Sequence, residues 1–260
     1  MAINDAFQVR TKIGLTSGFA NLFYMEISRW WKSKDWINQI LLWTVIINLS
    51  LISILLNQPD SLAILSILGL FFGMFPSIAV VIIMAEVITG ERKAGTVQWI
   101  LSKPCSRSAF IASKLTSNAI GIAISMVYVP GLIAYIMIYF VGNIHYDIIA
   151  FLIGLSIVVL LMIFYMTFAI MLGTIYNQTG LVIGIPLLFN FGILSLLQSV
   201  RDVFNFVPHG LFFPITSDYT IFSSAVLRLP LDTITPIIVT LGLIFIFVGI
   251  SFYKFNNEEF

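Results

Sequence analysis

The fold of this chain is decided by residues 62–88, which read LAILSILGLFFGMFPSIAVVIIMAEVI and contain one ionisable side chain, that of Glu86. An α-helix needs about 20 predominantly apolar residues to cross the hydrocarbon layer of a bilayer. This stretch is longer than that requirement, and it therefore predicts a membrane-spanning helix.

The composition of the whole chain agrees with this prediction. Hydrophobic residues make up 59% of the 260 residues and charged residues only 10%, against about 25% charged residues in a soluble domain. Lipid must therefore cover much of the surface, and we expect an all-α, polytopic membrane protein formed by a single transmembrane domain, residues 1–260. Six stretches are long and apolar enough to span: Ile37–Leu56, Leu62–Ile88, Leu115–Val141, Ile148–Tyr176, Leu181–Ser199 and Ile234–Tyr253.

The distribution of Lys and Arg predicts the orientation. Of the 13 such residues, five precede the first span, five lie between the second and third spans, and Lys254 follows the sixth; the other two are Arg201 and Arg228. Cytoplasmic loops carry the excess of Lys and Arg. We therefore expect the protein in the plasma membrane with both termini in the cytoplasm. Residues 1–36 would form the cytoplasmic N-terminus, and residues 200–233 would form an extracytoplasmic loop.

Two segments outside the spans carry apolar residues. Before the first span, one helical face holds Phe19, Leu22, Phe23, Ile27, Trp30 and Trp31, and the other holds Asn21, Glu26, Arg29 and Lys32. This pattern predicts an amphipathic helix in the membrane interface, serving as an anchor or as a docking surface. The loop Arg201–Asp232 contains five phenylalanines, and we expect it to dip into the membrane or to pack over the ends of the helices.

A few polar residues and prolines interrupt the spans. Glu86 either acts at membrane depth or lies just outside the hydrocarbon and pairs with Arg92 or Lys93. Asn190 either joins helices by a hydrogen bond or lines a transport path. Pro130 and Pro186 predict bends in the third and fifth spans. The chain has one cysteine, Cys105, and two distant histidines, His145 and His209, so no metal site is predicted.

The segment with the strongest functional signal joins the second and third spans and is called here the connecting segment, residues 89–114. Its central part reads TGERKAGTVQWILSKPCSR over residues 89–107. Gly90 lets the chain leave the second span, and Val97, Ile100 and Leu101 then form one apolar face. Pro104 ends this short helix, and Ser106 or Ser108 can cap the next one. Such a helix across the mouth of the bundle suits contact with a cytoplasmic partner.

The same segment resembles the ABC-2 permease family, in which a GE+xxGT element is followed by LLSxPxSR and a lysine before the third span. Here Gly90-Glu91-Arg92, Gly95-Thr96, Leu101-Ser102-Lys103-Pro104 and Ser106-Arg107 follow that order, and Lys114 supplies the lysine. Two positions depart from it, with Ile100 in place of a leucine and Cys105 in place of a small aliphatic residue. The motif covers about 25 residues, while the six-span topology matches over nearly the whole chain.

The resemblance implies a transmembrane subunit of an ATP-driven exporter that works as a dimer with a second permease copy or a homologous permease. The chain has no GxxxxGK[ST] phosphate loop, so ATP and Mg²⁺ would be bound by a separate ATPase subunit, and no cofactor is expected on this chain. By analogy the ATPase would dock on a surface formed or shaped by Gly90, Glu91, Arg92, Gly95, Thr96, Trp99 and Arg107. In the family the second and fifth spans line the path, which makes Phe71, Phe75 and Asn190 candidates.

Two other functional classes are compatible with a polytopic membrane protein. A membrane-embedded enzyme needs clustered ionisable residues at membrane depth, which the spans nearly lack. A secondary transporter or channel needs a polar mid-membrane site, for which Glu86 and the prolines are the only candidates. The net charge of +1 gives no indication of a nucleic-acid partner. The apolar and aromatic spans favour a hydrophobic or amphipathic cargo, in contact with membrane lipids.

Overall fold

The computed structural model describes residues 17–57, 60–103, 105–197, 201–214 and 218–258. The described part is 83% helical and contains no strand, as predicted. Arg10, Lys12, Pro104 and Ser199, on which some of the predictions fall, lie outside the described residues. The helices are α1 Phe19–Ser33, α2 Asp35–Leu55, α3 Ser61–Lys93, α4 Thr96–Leu101, α5 Arg107–Ile122, α6 Val129–Phe140, α7 Ile148–Ile175, α8 Thr179–Leu197, α9 Ile221–Leu227 and α10 Thr235–Asn256.

Five continuous helices are long and apolar enough to cross a membrane: α2, α3, α5 with α6, α7 and α10. A shorter apolar helix, Thr179–Gly192 within α8, covers the first part of the predicted fifth span. The outward face of α2 repeats Leu41, Val45 and Leu49, all largely exposed. A row of large exposed apolar side chains at helical spacing is a surface suited to lipid. The protein is therefore a multi-pass membrane protein.

The third span contains the predicted irregularity. A π-helical segment, Ala123–Tyr128, joins α5 to α6, and Pro130 is the second residue after it. Proline has no backbone N–H to donate to the preceding turn, and π segments occur where the regular hydrogen-bond ladder is interrupted. Asn48 of α2 is buried beside this point, so the first and third spans meet where the third is distorted.

The core of the bundle lies around α7, which packs against α3, α9 and α10. The aromatic loop after α8 adds to this core, because Phe212 and Phe222 are buried against α3. A Cβ built on Gly69 would lie 3.0 Å from the ring of Phe222, so glycine allows this close approach. The loop thus packs onto the helices, as expected from its phenylalanines, although Phe206 is mostly exposed.

One expected boundary of the connecting segment is wrong. Gly90 does not end the second span, since α3 continues to Lys93 and the left-handed residue that ends it is Gly95, at φ 68°. At about 1.5 Å per residue, the 33 residues of α3 extend about 50 Å, well beyond a hydrocarbon layer of about 30 Å. The helix of the third span begins at Arg107, where Ser106 caps it, as predicted, by accepting a hydrogen bond from Ala109 N at 3.0 Å. The apolar stretch that starts at Leu115 lies within this helix.

Helix α1 packs along α5 through one of its two predicted tryptophans. The Trp30 ring lies over Gly121, and its indole Nε1 donates a hydrogen bond to Asn118 Oδ1 at 3.1 Å. Trp31 is exposed. Glu26, assigned from the sequence to the polar face, is instead buried, because it binds a charged side chain of α5.

We expect Gly121→Ala to destabilise the folded protein by about 1–3 kcal/mol, the usual cost of overpacking. The added Cβ would lie 2.7 Å from Trp30 Cε2, so α1 must shift away from α5. Thermal unfolding in detergent measures the effect. Gly242→Ala is the matched control, since nothing lies within 4 Å of its Cβ position. Equal stability of the two variants would contradict the close packing of α1 on α5.

Candidate functional site

The candidate site lies at the end of the bundle where α3 ends and α5 begins, called here the cationic end. Helix α4 lies across it with Val97 and Ile100 buried and Trp99 63% exposed. The ammonium of Lys103 lies 3.6 Å from the centre of the Trp99 ring, a cation–π contact. Burial raises the pKa of the Cys105 thiol, which donates to the carbonyl oxygen of Ile100 at 3.2 Å. Helix α4 is thus fixed by one face and presents the other.

The start of α4 is held to the end of α3. Gly95 adopts the left-handed conformation that turns the chain from one helix into the next, and nothing lies within 4 Å of its Cβ position. The Thr96 hydroxyl donates a hydrogen bond to the carbonyl oxygen of Glu91 at 3.0 Å. Glycine is required here by the positive φ, not by a steric contact.

A group of four charged side chains, the four-charge cluster, lies beneath this turn and consists of Glu26, Arg29, Glu91 and Lys114. The ammonium of Lys114, 1% exposed, donates to Glu26 Oε1 at 2.6 Å and to Glu91 Oε1. Arg29 Nη1 lies 3.7 Å from Glu26 Oε2 and from Glu91 Oε1. Two carboxylates are thus balanced by two cations.

This cluster connects three helices, since Glu26 and Arg29 belong to α1, Glu91 to α3 and Lys114 to α5. A buried ion pair is strongly destabilised when one partner is removed, because the other charge is left without compensation. The three helices are therefore joined at the cationic end by charges that cannot separate without a large cost. Glu91 was identified from the sequence, whereas the partnership of Glu26 with Lys114 was not.

The two arginines that flank α4 bind the end of α10. Arg107 Nη1 donates to the carbonyl oxygens of Asn256 and Glu258 at 2.7 and 2.6 Å. The guanidinium of Arg92 pairs with the Glu258 carboxylate and donates to Asn177 Oδ1 at 2.8 Å. These contacts, together with residues 256–258, are called here the C-terminal clasp.

A cleft of about 300 Å³ lies between α4 and the C-terminal clasp. The cations Arg92 and Lys93 line it, and Gln98 and Asn177 add amide groups. Lys93 Nζ donates to Thr179 Oγ1 at 2.8 Å. The cleft separates the exposed face of α4 from the tip of α10.

The predicted partners of Glu86 are therefore engaged elsewhere. Arg92 and Lys93 bind Glu258 and Thr179, and in the described part of the chain neither forms an ion pair with Glu86. Of the two alternatives for Glu86, the pairing with Arg92 or Lys93 is therefore wrong, and a role at membrane depth stays a prediction. Glu86 is exposed on the outside of α3, with its Oε2 3.1 Å from the Cβ position of Gly90.

The candidate residues of the transport path lie in two different environments, one at the surface and one inside the chain. Phe71 and Phe75 stack at 5.2 Å, and Phe75 is exposed on α3. Asn190 is buried inside the chain, where its Oδ1 lies 2.9 Å from the Tyr165 hydroxyl and 3.1 Å from His209 Nε2. Asn190 thus joins α8 to α7 and to the loop by hydrogen bonds, the first of its two alternative roles. The path itself stays a prediction.

Comparison with known proteins gives one result. The sequence profile of the family described as "ABC-2 family transporter protein" matches residues 4–260, nearly the whole chain. No curated protein matches the chain significantly.

Proposed function

The chain belongs to the ABC-2 transporter family, and on this premise we propose that it is the permease subunit of an ABC exporter driven by a separate ATPase subunit. The family has a membrane transport role and its members are transmembrane subunits without catalytic activity of their own. The proposed cargo is hydrophobic or amphipathic, because the spans are apolar and aromatic. The cationic end is proposed to face the cytoplasm, with the protein in the plasma membrane.

The observation that carries this proposal is the geometry of α4. Its buried face holds it to the bundle, and its outward face presents Gln98 and Trp99. Exposed aromatic side chains are enriched among the residues that dominate protein interfaces. Helix α4 is therefore suited to receive a cytoplasmic subunit and to pass its movement to the bundle.

The four-charge cluster supplies a route for that movement. The carbonyl oxygen of Glu91 holds Thr96 at the start of α4, and the Glu91 carboxylate holds Lys114 of α5. When two ATPase subunits close on ATP, a push on α4 would reach α3, α5 and α1 together. Rigid-body movement of packed elements between two states is one of the known forms of such switching.

A second permease copy would cover the outward face of α3 and α8, which pack against each other. This face exposes Phe75 and Ile82 from α3, and Leu188 and Phe191 from α8. A cargo path at this interface would be lined by aromatic and aliphatic side chains, as a hydrophobic cargo requires. Lipid would cover the other faces of the bundle.

We expect Glu91→Ala to uncouple ATP hydrolysis from transport without unfolding the bundle, because Lys114 keeps its bond to Glu26. Coupling energies between sites are typically about 1–3 kcal/mol, about 5- to 150-fold, so at least a fivefold loss of transport per ATP hydrolysed is expected in proteoliposomes. Glu86→Ala is the control, since this carboxylate lies on the same helix but outside the cluster. Unchanged transport together with unchanged ATPase association would refute the assignment of Glu91.

A further inference from the structure

We propose that the C-terminal clasp couples α10 to α4, so that Arg92 and Arg107 are positioning residues that act within the chain rather than contacts for the ATPase. The proposal rests on the proposed function, and it assigns a role to the last described residues of the chain. It also changes the role of two residues that the family resemblance places at the docking surface.

The two arginines lie on either side of α4 in the sequence. Arg92 lies four residues before α4 and Arg107 six residues after it, yet both guanidinium groups bind residues 256–258. Helix α4 therefore lies in the chain between two arginines that share one anchor, Arg92 at the end of α3 and Arg107 at the start of α5. A push on α4 would reach the end of α10 through these two helix ends.

The chemistry of the two arginine contacts differs. Arg107 binds backbone carbonyl oxygens at the end of α10, where unpaired carbonyls and the helix dipole favour a cation. Arg92, 11% exposed, binds the Glu258 side chain. The first contact depends on the position of the backbone and the second on the identity of one residue, so the second can be tested by substitution.

The end of α10 is also held to α5. The Phe110 and Phe255 rings stack at 5.3 Å, and Phe255 is fully buried. Asn256 Nδ2 donates to Ser108 Oγ at 3.1 Å. Because α10 packs against α7 at the centre of the bundle, a displacement of the clasp would be passed to the core. The clasp thus offers a second route for the movement of α4, beside the four-charge cluster.

The cleft between α4 and Glu258 indicates why an ion pair is needed to pass movement from α4 to α10. Close packing transmits displacement directly, but across an open cleft of about 300 Å³ no side-chain packing is available. The Arg92–Glu258 ion pair lies at the edge of this cleft and joins the end of α3, which leads into α4, to the second residue after α10. Its loss would weaken the connection of α4 to α10 and leave that connection to Arg107 and Ser108 of α5.

The test is a charge exchange in the complete permease–ATPase complex. Glu258→Arg places two cations together and should lower vanadate-sensitive ATP hydrolysis at least fivefold while the ATPase subunit stays bound. The double variant Arg92→Glu with Glu258→Arg restores the opposite charges and should recover most of the activity. Lys254→Gln is the control, since it removes a charge one turn earlier on the exposed side of α10.

A crosslinking measurement reports the clasp without reference to activity. Cys105→Ser removes the single native thiol, and Ser108→Cys with Asn256→Cys introduces a pair for a short bifunctional thiol reagent. Glu258→Arg should reduce the crosslinked fraction severalfold and the double charge exchange should restore it.

The proposal would be overturned if Glu258→Arg left crosslinking unchanged, if it left ATP hydrolysis unchanged, or if the double variant showed no recovery. If the parent chain binds no ATPase, the proposed function fails, and the coupling role fails with it.

Discussion

Lys114→Met is expected to lower the free energy of unfolding by about 3–5 kcal/mol, the cost of breaking a buried ion pair by removing one partner. The Lys114 ammonium is nearly inaccessible and is shared by Glu26 and Glu91. Without it, Arg29 would be the only cation left beside two carboxylates, at 3.7 Å from each. Thermal or denaturant unfolding in detergent measures the loss.

Two further variants separate loss of charge balance from loss of packing. Lys114→Arg keeps the charge and should be much less destabilising than Lys114→Met. Glu26→Met combined with Lys114→Met removes one acid and one base and leaves Glu91 paired with Arg29. This double variant should recover part of the stability that Lys114→Met loses, because apolar replacement of a whole buried pair is often nearly neutral. A double variant less stable than Lys114→Met alone would show that the cluster is not held by charge compensation.

Trp99→Ala is expected to weaken the binding of the ATPase subunit by about 2–4 kcal/mol, roughly 30- to 700-fold, the range of a tryptophan at the centre of an interface. Trp99 is the largest exposed side chain of α4, and the buried residues on its other face are untouched by the substitution. The stability of the chain alone should therefore change little. Affinity is measured with the purified subunits in detergent or nanodiscs.

The controls for this prediction vary the ring and its position. Trp99→Phe keeps an aromatic face for the contact with Lys103 and should lose much less affinity than Trp99→Ala. Tyr253→Ala removes an exposed aromatic residue of α10 near the same end of the bundle and should leave the affinity unchanged. Equal affinities for Trp99→Ala and the parent protein would place the docking surface away from α4.

The spans were predictable because lipid exposure imposes one simple requirement, about 20 apolar residues for each crossing. The ends of the spans were less predictable where charged residues are buried in pairs. The helix of the third span begins at Arg107, which the capping residue Ser106 predicted, and the apolar stretch was expected from Leu115. The burial of Lys114 within this helix was not predictable, because its compensation by Glu26 and Glu91 depends on how α1 and α3 pack against α5.

The sequence contained a signal for the burial of Glu26. Glu26 lies four residues after Leu22 and four before Trp30, and both pack against the core. Residues four apart share a helical face, so Glu26 belongs to the inward face, and an inward acid needs a cation. Which cation it binds depends on how α1 docks on α5, and spacing alone does not give that.

In the connecting segment, too, some features were predictable from the sequence and others depend on packing. The short helix and its buried residues Val97 and Ile100 follow from the pattern of the sequence. The residue that ends α3 does not follow from the pattern, because Gly90 and Gly95 are both glycines and either could end a helix. Packing decides between them: Thr89 and Lys93, at the end of α3, lie 3.1 and 2.8 Å from Thr179 Oγ1 of α8, and these contacts keep α3 helical up to Lys93. The inward orientation of Arg92 and Arg107 likewise depends on the end of α10, distant in sequence.

The most direct test of the proposed function is to solubilise the tagged chain from its native membrane, identify the proteins that co-purify, and assay the eluate for ATP hydrolysis. We predict a stoichiometric ATP-binding subunit and vanadate-sensitive hydrolysis, with both reduced when Trp99→Ala is used as bait. Recovery of the chain alone and inactive from several mild detergents would contradict the proposal and would favour a transporter or channel that is not driven by ATP.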